Sequence, residues 1–258
     1  MKYFVLAFLL ALVGESCFAA TPAQTPTSST NLLKAVKASA TPPVTWASTV
    51  TVGLTVTAGN VDSVLTTGKI ASERKTHRND LTLGADGAYG EVSGVQNVNS
   101  VHGCVQDNQT FIDDTWYGYG REDALHDAIA NVEYRVTTSV GAGYYFIKNK
   151  NTTLSSEAGP SFMAEKLDDE IHDYPTARIA ENLEHKIDDH AKVWENVEFL
   201  PPLNFPDAFL LNAQIGVETP LTKKLSLQTY LQDNYANVPA PGYKPNDLKL
   251  VSGLVMKF

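Results

Sequence analysis

A two-residue alternation of apolar and polar side chains constrains this chain more than any other feature of its sequence. The alternation is clearest at residues 46–57, 131–146, 209–218 and 248–258. Neighbouring side chains of a β-strand point to opposite faces, so this period predicts strands with one apolar and one polar face. Weaker alternation between turn signals predicts further strands at 64–75, 81–91, 98–109, 115–122, 153–165, 192–199 and 225–233.

The stretch 176–187 fits two secondary structures. Arg178 and Glu184 suit the polar face of a strand, whereas Ile179, Leu183 and Ile187, spaced by four, suit a helix equally well. If the stretch is a strand, the chain has twelve strands. If it is a helix, ten strands are the alternative.

The polar faces of these runs carry full charges far from the strand ends, among Gly, Thr, Ser, Asn and Gln. That composition suits the hydrated interior of a transmembrane barrel, with the apolar faces turned to lipid. Lipid offers no hydrogen-bond partner to an open strand edge, so the last strand must pair with the first. We therefore predict an all-β, closed antiparallel transmembrane β-barrel. The residues predicted to face its lumen are Asp86, Glu133, Arg135, Glu157, Gln214 and Glu218.

The beginning of the sequence predicts export. Residues 1–19 have the short positive start, the apolar run and the small residues of a cleaved signal peptide. The Thr-, Ser- and Pro-rich residues 20–45 read as a disordered leader, and residues 46–258 as one barrel domain. A net charge of −9 argues against nucleic acid as a partner.

The chain ends on a strand pattern whose last residue is aromatic. This ending resembles the assembly signal of bacterial outer-membrane barrels, which implies the outer membrane of a Gram-negative bacterium as the location. It also implies outer-membrane lipid and the barrel-assembly machinery as partners. The residues that carry the resemblance are Leu250, Leu254, Met256 and Phe258.

The segment TVGLTVTAGNVDS, residues 51–63, resembles the first hairpin of the YdiY-like family of salt-induced outer-membrane proteins. Further matches follow in the same order along residues 46–258. The family implies an outer-membrane location and a link to salt stress, and it implies no catalytic residues. The matching positions are Gly53, Gly59, Asn60, Asp62, Asp123, Tyr144, Gly159, Asp233, Tyr235 and Asp247.

The lumen charges suggest what such a barrel does. Arg135 and Glu157 lie on the polar faces of consecutive strands, so we predict that they pair inside the barrel, with Glu133 as a third member. Such a cluster either sets the ion preference of a constriction or locks the wall together as a plug of salt bridges. We expect a structural barrel or a narrow channel for ions and small solutes.

Two alternatives to a channel are a barrel enzyme acting on lipid or peptide and a soluble ligand-binding barrel. The sequence has no Gly-x-Ser-x-Gly elbow and no phosphate loop, so we predict neither an enzyme nor a bound cofactor. The acidic residues 165–190 include His172, His185 and His190 but match no fixed pattern of metal ligands. A solvated loop face is the expected role of that segment.

Overall fold

The computed structural model describes residues 45–57, 62–76, 78–112, 114–240 and 242–258, and their strands form one closed antiparallel barrel of twelve. The signal peptide, the leader up to residue 44, Gly59 and Asn60 lie outside the described residues. The strands are β1 (Thr45–Thr57), β2 (Ser63–Lys75), β3 (Asn79–Val92), β4 (Val95–Ile112), β5 (Trp116–Asp127), β6 (Val132–Lys148), β7 (Thr152–Leu167), β8 (Glu170–Lys186), β9 (Lys192–Leu200), β10 (Leu210–Pro220), β11 (Leu225–Ala236) and β12 (Asn246–Lys257). The predicted fold and its strand number are confirmed.

The barrel closes where β1 meets β12. Thr49 to Gly53 pair with Lys257 to Gly253, and the N–H of Phe258 donates to the carbonyl oxygen of Ser48 over 2.9 Å. Every other strand pairs with its two neighbours in the sequence. Both termini of the barrel domain therefore lie at one end, which we call the terminal end, and the other is the opposite end.

The apolar faces of the strands form the outside of the barrel. Val52, Ile215 and Leu254 are 58%, 42% and 48% exposed, and Val136 lies on the same outer side. A soluble barrel would bring these side chains together in a dry centre, and they point away from it. None of the helices in the described part of the chain is long and apolar enough to cross a membrane.

Aromatic side chains on the outside gather towards the two ends of the barrel. At the terminal end the ring centre of Tyr144 lies 4.9 Å from that of Trp116 and 5.0 Å from that of Phe146. At the opposite end Phe209 lies 5.3 Å from Phe199 and 5.7 Å from Tyr235. Two such bands are typical of the interfacial girdles of membrane barrels.

Strand β8 resolves the ambiguous stretch, and its helical alternative is wrong. Ile179 is 51% exposed on the outer face, whereas Arg178 is fully buried inside. Residues four apart share a face in a strand as well as in a helix, so the apolar spacing could not separate the two. The segment expected to be a solvated loop is instead a hairpin of β7 and β8, whose turn contains Asp168 and Asp169 at positive φ.

Candidate functional site: the polar lumen

The centre of the lumen holds one arginine between two carboxylates. Arg178 on β8 donates from Nη1 to Oε2 of Glu157 on β7 over 2.7 Å, and from Nε to Oε1 of Glu198 on β9 over 2.6 Å. The side chains of all three are at most 9% exposed. Charge-assisted hydrogen bonds of this length are among the strongest that proteins make, and here they compensate for desolvation of the charges.

Side chains of strands that are not neighbours of β7 or β8 also contact this cluster from across the lumen. Gln106 on β4 donates from Nε2 to Oε1 of Glu157 over 2.8 Å, and the hydroxyl of Tyr117 on β5 donates to the same oxygen over 3.0 Å. The guanidinium carbon of Arg178 lies 5.0 Å from the ring centre of Tyr119 on β5. Because β6 separates β5 from β7, these side chains must reach through the interior.

Two inward-facing glycines of β6 make room for that crossing. A Cβ atom on Gly143 would overlap the ring of Tyr117, and one on Gly141 would lie 2.8 Å from Cε1 of Tyr119. Each glycine therefore lets a tyrosine ring lie flat against the backbone of β6. A side chain at either position would push a tyrosine away from the centre of the lumen.

The network continues to the other wall. Arg121 donates from Nε to Oδ2 of Asp123 over 2.6 Å and from Nη1 to Oε1 of Gln106 over 3.0 Å. The ring of His102 lies between Oδ1 of Asp123 at 3.2 Å and Oδ1 of Asp86 at 3.1 Å. The chain of contacts thus runs from β3 to β9, with four carboxylates against two guanidinium groups and one imidazole. We call it the central network.

A second charged layer lies nearer the terminal end. Lys192 is 3.3 Å from a carboxylate oxygen of Glu184 and 3.3 Å from one of Glu218, and Lys257 is 2.5 Å from the other oxygen of Glu218. These pairs join β8, β9, β10 and β12. They add four charged side chains to the interior between the central network and the terminal end.

A cavity of about 280 Å³ lies between the central network and the opposite end. Its floor includes His102, Asp123 and Glu198 of the central network. Towards the opposite end it is lined by the apolar side chains of Val98, Leu125, Val132, Leu167, Leu200, Leu210, Val238, Pro239 and Ala240, and also by Asp127, Lys244, Asn246 and Asp247. The lumen is therefore open above the central network.

The predicted pairing of Arg135 with Glu157 is wrong. Arg135 donates from Nε to Oε2 of Glu165 over 2.6 Å, and the other oxygen of Glu165 accepts from the hydroxyl of Tyr174 over 2.6 Å. The register of β6 and β7 places Arg135 opposite Glu165, whereas Glu157 lies opposite Gly143. The sequence pattern sets the face of each residue, but only the hairpin register sets its partner.

The predicted lumen position of Glu133 is also wrong. The β6–β7 pairing is irregular between Val132 and Tyr134, which turns Val132 inwards and Glu133 outwards. Glu133 contacts Lys166 on the outer side near the opposite end, and its side chain is 60% exposed. A bulge changes the face to which a residue of the strand points, and the alternation of the sequence did not reveal this bulge.

The other residues predicted to line the lumen lie on the inner side. Asp86 contacts His102 in the central network, and Glu218 belongs to the second charged layer. Gln214 is 3% exposed and lines a small inner cavity beside Thr51. Glu157, whose partner the sequence did not predict correctly, is contacted by Gln106, Tyr117 and Arg178.

Some of the positions that carry the family resemblance lie inside the barrel, and others lie where the backbones of two strands come close together. Asp123 belongs to the central network, and Asp247 pairs with Lys249 over 2.8 Å. A Cβ atom on Gly53 would lie 2.9 Å from the carbonyl oxygen of Ser252 in the β1–β12 seam. A Cβ atom on Gly159 would overlap the backbone of β6.

Other family positions lie on the outer side or in turns. Tyr144 and Tyr235 belong to the two aromatic groups, and Asp233 accepts from the amide of Asn246 over 2.8 Å. The backbone oxygen of Asp62 accepts from the N–H of Ser93 over 2.7 Å. The four side chains of the predicted assembly signal are 48–69% exposed on β12 and at the terminus, and they are Leu250, Leu254, Met256 and Phe258.

The three histidines of the acidic segment do not meet. His172 contacts Glu170 near the opposite end, whereas His185 contacts Thr152 and His190 lies near Asp188 at the terminal end. Within the ranges that the structure describes, no group of three or more His, Cys, Asp or Glu side chains is placed to hold a metal ion.

Sequence reasoning did not predict that Arg121, His102, Arg178 and Glu198 meet in the central network. Each lies on the polar side of an alternating run, so the period of two can assign its face, as it did for Arg178 in the strand interpretation of residues 176–187. The period cannot assign their convergence, because the contacts between β4, β5, β7 and β8 depend on how the barrel closes.

Comparison with solved structures identifies the fold. The NanC porin matches with a TM-score of 0.51 and 9% identity, over 81% of this chain and 98% of that chain. The COG4313 outer membrane channel from Pseudomonas putida F1 gives a TM-score of 0.49 and 12% identity, over 88% and 100% of the two chains. At these identities the likeness concerns the fold alone.

Comparison by sequence identifies the family. No curated protein matches this chain. The family model described as "Protein of unknown function, DUF481" matches residues 50–258, which covers every strand of the barrel except the first residues of β1. The chain therefore belongs to the DUF481 family of proteins of unknown function.

Proposed function

We propose that this protein is a barrel of the Gram-negative outer membrane that provides a narrow pathway for ions and small solutes. The observation that carries the proposal is the central network, in which Glu157 and Arg178 receive contacts from across the lumen. A barrel of twelve strands has a small lumen, and side chains that meet in its centre narrow it further. The pathway conducts weakly for this reason.

The charges of the central network favour cations. Its four carboxylates exceed its two guanidinium groups, and protonation of His102 would still leave an excess of negative charge. Rings of acidic side chains favour cations in channels. We therefore expect potassium to pass in preference to chloride.

Conductance in planar lipid bilayers tests the proposal. The wild-type protein is expected to give a small conductance with a cation-selective reversal potential. Arg178→Ala should increase the conductance, because it removes the side chain that joins Glu157 to Glu198. Ile179→Ala is the matched control, since Ile179 is the next residue of β8 and faces outwards.

Two results would contradict the pathway. One is the absence of current from both the wild type and Arg178→Ala, with both proteins shown to be folded by a shift in gel mobility on boiling. The other is an equal increase in Ile179→Ala. If Arg178→Ala does not fold, Gln106→Ala removes a contact across the lumen without unpairing a charge.

The outer wall supports the proposed membrane location and assembly route. Its exposed apolar side chains lie between two aromatic groups, and the fold resembles that of a porin. We propose that the barrel-assembly machinery recognises β12, whose outward residues end at Phe258. The link to salt stress rests on the family resemblance, and growth at raised salt with measurement of transcript levels tests it.

A further inference from the structure

The cavity above the central network is large enough to hold a small molecule. Its 280 Å³ exceeds the roughly 150 Å³ of an engineered cavity that binds benzene. It combines a polar floor with an apolar wall, which is the usual composition of sites for small molecules.

Most of the charged groups that line the cavity already have partners. Arg135 is held by Glu165 at 2.6 Å and Lys249 by Asp247 at 2.8 Å. Asp123 contacts Arg121 and His102, and Glu198 contacts Arg178. An ionic ligand bound at these groups would have to displace one of these short contacts, which costs free energy.

Neutral hydrogen-bonding groups of the same cavity remain available. Among the described residues, none hydrogen bonds the side chains of Thr137 and Asn234, both of which line the cavity. Asn212 donates its amide nitrogen to Glu198 over 3.2 Å, which leaves its amide oxygen for a ligand. A hydroxyl or amide group of a ligand can satisfy these groups without unpairing a charge.

The apolar wall faces the other end of such a ligand. Val132 is 2% exposed and Leu200 is 5% exposed, and both line the cavity together with Leu210. These side chains would cover a hydrocarbon or aromatic body whose polar group points at the floor.

We infer that the cavity binds a small uncharged amphipathic molecule, with its hydrogen-bonding group at Thr137, Asn212 and Asn234 and its apolar body against Val132, Leu200 and Leu210. The inference deepens the proposed function by naming the class of solute, and in that respect rests on it. Binding itself requires no conduction, so the two can be tested separately.

The test measures binding of 2-naphthol, which is neutral at neutral pH and fluorescent, to the whole protein in lipid nanodiscs. We expect saturable binding of one molecule per barrel above the signal of empty nanodiscs. Ala236→Trp should weaken it by about tenfold or more, because an indole would occupy the cavity that Ala236 lines. Ala124→Trp is the matched control, since Ala124 is exposed on the outer side of β5.

A charged analogue tests the neutrality of the site. Naphthalene-2-sulfonate has the same ring system, and we expect it to bind more weakly than 2-naphthol. A second variant, Asn234→Leu, should weaken binding of 2-naphthol by removing a hydrogen-bonding group while leaving the cavity open, and it serves if Ala236→Trp does not fold.

The outcomes separate the site from the pathway. Absence of saturable binding to a folded, conducting wild type overturns the site and leaves the pathway. Equal binding by Ala236→Trp, or equal loss in Ala124→Trp, also overturns the site. Tighter binding of naphthalene-2-sulfonate than of 2-naphthol overturns the inference that the ligand is uncharged. Saturable binding that shows the expected losses, without conductance, supports the site and contradicts the pathway.

Discussion

Replacing Arg178 by Met should strongly destabilise the barrel. The substitution keeps an unbranched side chain out to the ε position but removes the charged guanidinium between Glu157 and Glu198. Both charge-assisted hydrogen bonds are lost, at 2.7 and 2.6 Å, and each is worth about 1.5–3 kcal/mol. Two carboxylates are then left without their guanidinium, and removing one partner of a buried pair typically costs about 3–5 kcal/mol. We expect a loss of about 3–5 kcal/mol in the free energy of unfolding.

The assay is equilibrium unfolding in urea with the protein in phospholipid vesicles, followed by tryptophan fluorescence. Arg135→Met is the matched control, because Arg135 has one carboxylate partner, Glu165, and its side chain is 17% exposed. Arg135→Met should lower the free energy of unfolding by about half as much as Arg178→Met, since solvent weakens a partly exposed ion pair. Adding Glu157→Gln to Arg178→Met should restore part of the stability, because it removes one of the unpaired charges.

The reasoning is refuted if Arg178→Met costs less than about 1 kcal/mol, the value expected of an exposed pair. It is also refuted if Arg135→Met costs as much. Either result would mean that water in the lumen compensates the carboxylates as well as the guanidinium does.

Three further changes test other parts of the barrel. Gly253→Val should reduce the fraction that shifts in gel mobility on boiling, because its Cβ would lie 2.8 Å from the carbonyl oxygen of Val52 in the β1–β12 seam. Phe258→Ala should lower the amount of folded protein in outer-membrane fractions of cells, because the last aromatic of β12 is lost. Tyr174→Phe should lower the free energy of unfolding in urea by about 1–2 kcal/mol, because Glu165 loses a 2.6 Å hydrogen bond.

Each of these changes has a matched control on the outer wall. A Cβ atom at Gly68 would meet nothing within 4 Å, so Gly68→Val should leave the mobility shift unchanged. Leu227→Ala removes an exposed side chain of β11 and should not reduce the folded protein in cells as Phe258→Ala does. Tyr134 is 38% exposed, so Tyr134→Phe should not change the unfolding free energy measurably. A control that behaves like its test variant would contradict the corresponding prediction.

The period of two in the sequence was sufficient to predict the architecture. It predicted the closed barrel and the outward direction of residues such as Val52 and Leu254, because the alternation of a strand assigns each residue to a face. It left β8 undecided, since the spacing of Ile179 and Leu183 is compatible with a helix and with a strand.

The partners in the lumen could not be predicted in the same way. Arg135 opposes Glu165 because of the register of one hairpin, and Glu133 turns outwards because of one bulge. Arg178 meets Tyr119 only once three intervening strand pairings have curved the sheet. Local pattern determines faces, whereas these contacts depend on the shape of the finished barrel.

The short pairing between β1 and β12 has a consequence for how the barrel folds and unfolds. Five residue pairs join β1 to β12, whereas thirteen join β1 to β2. The central network ties β3 through β9 to one another, so a curved sheet can hold its interior charges before its edges meet. We expect edge-to-edge zipping of the first and last strands to be the final step of folding, and sideways unzipping of the same edges to be the first step of its reversal.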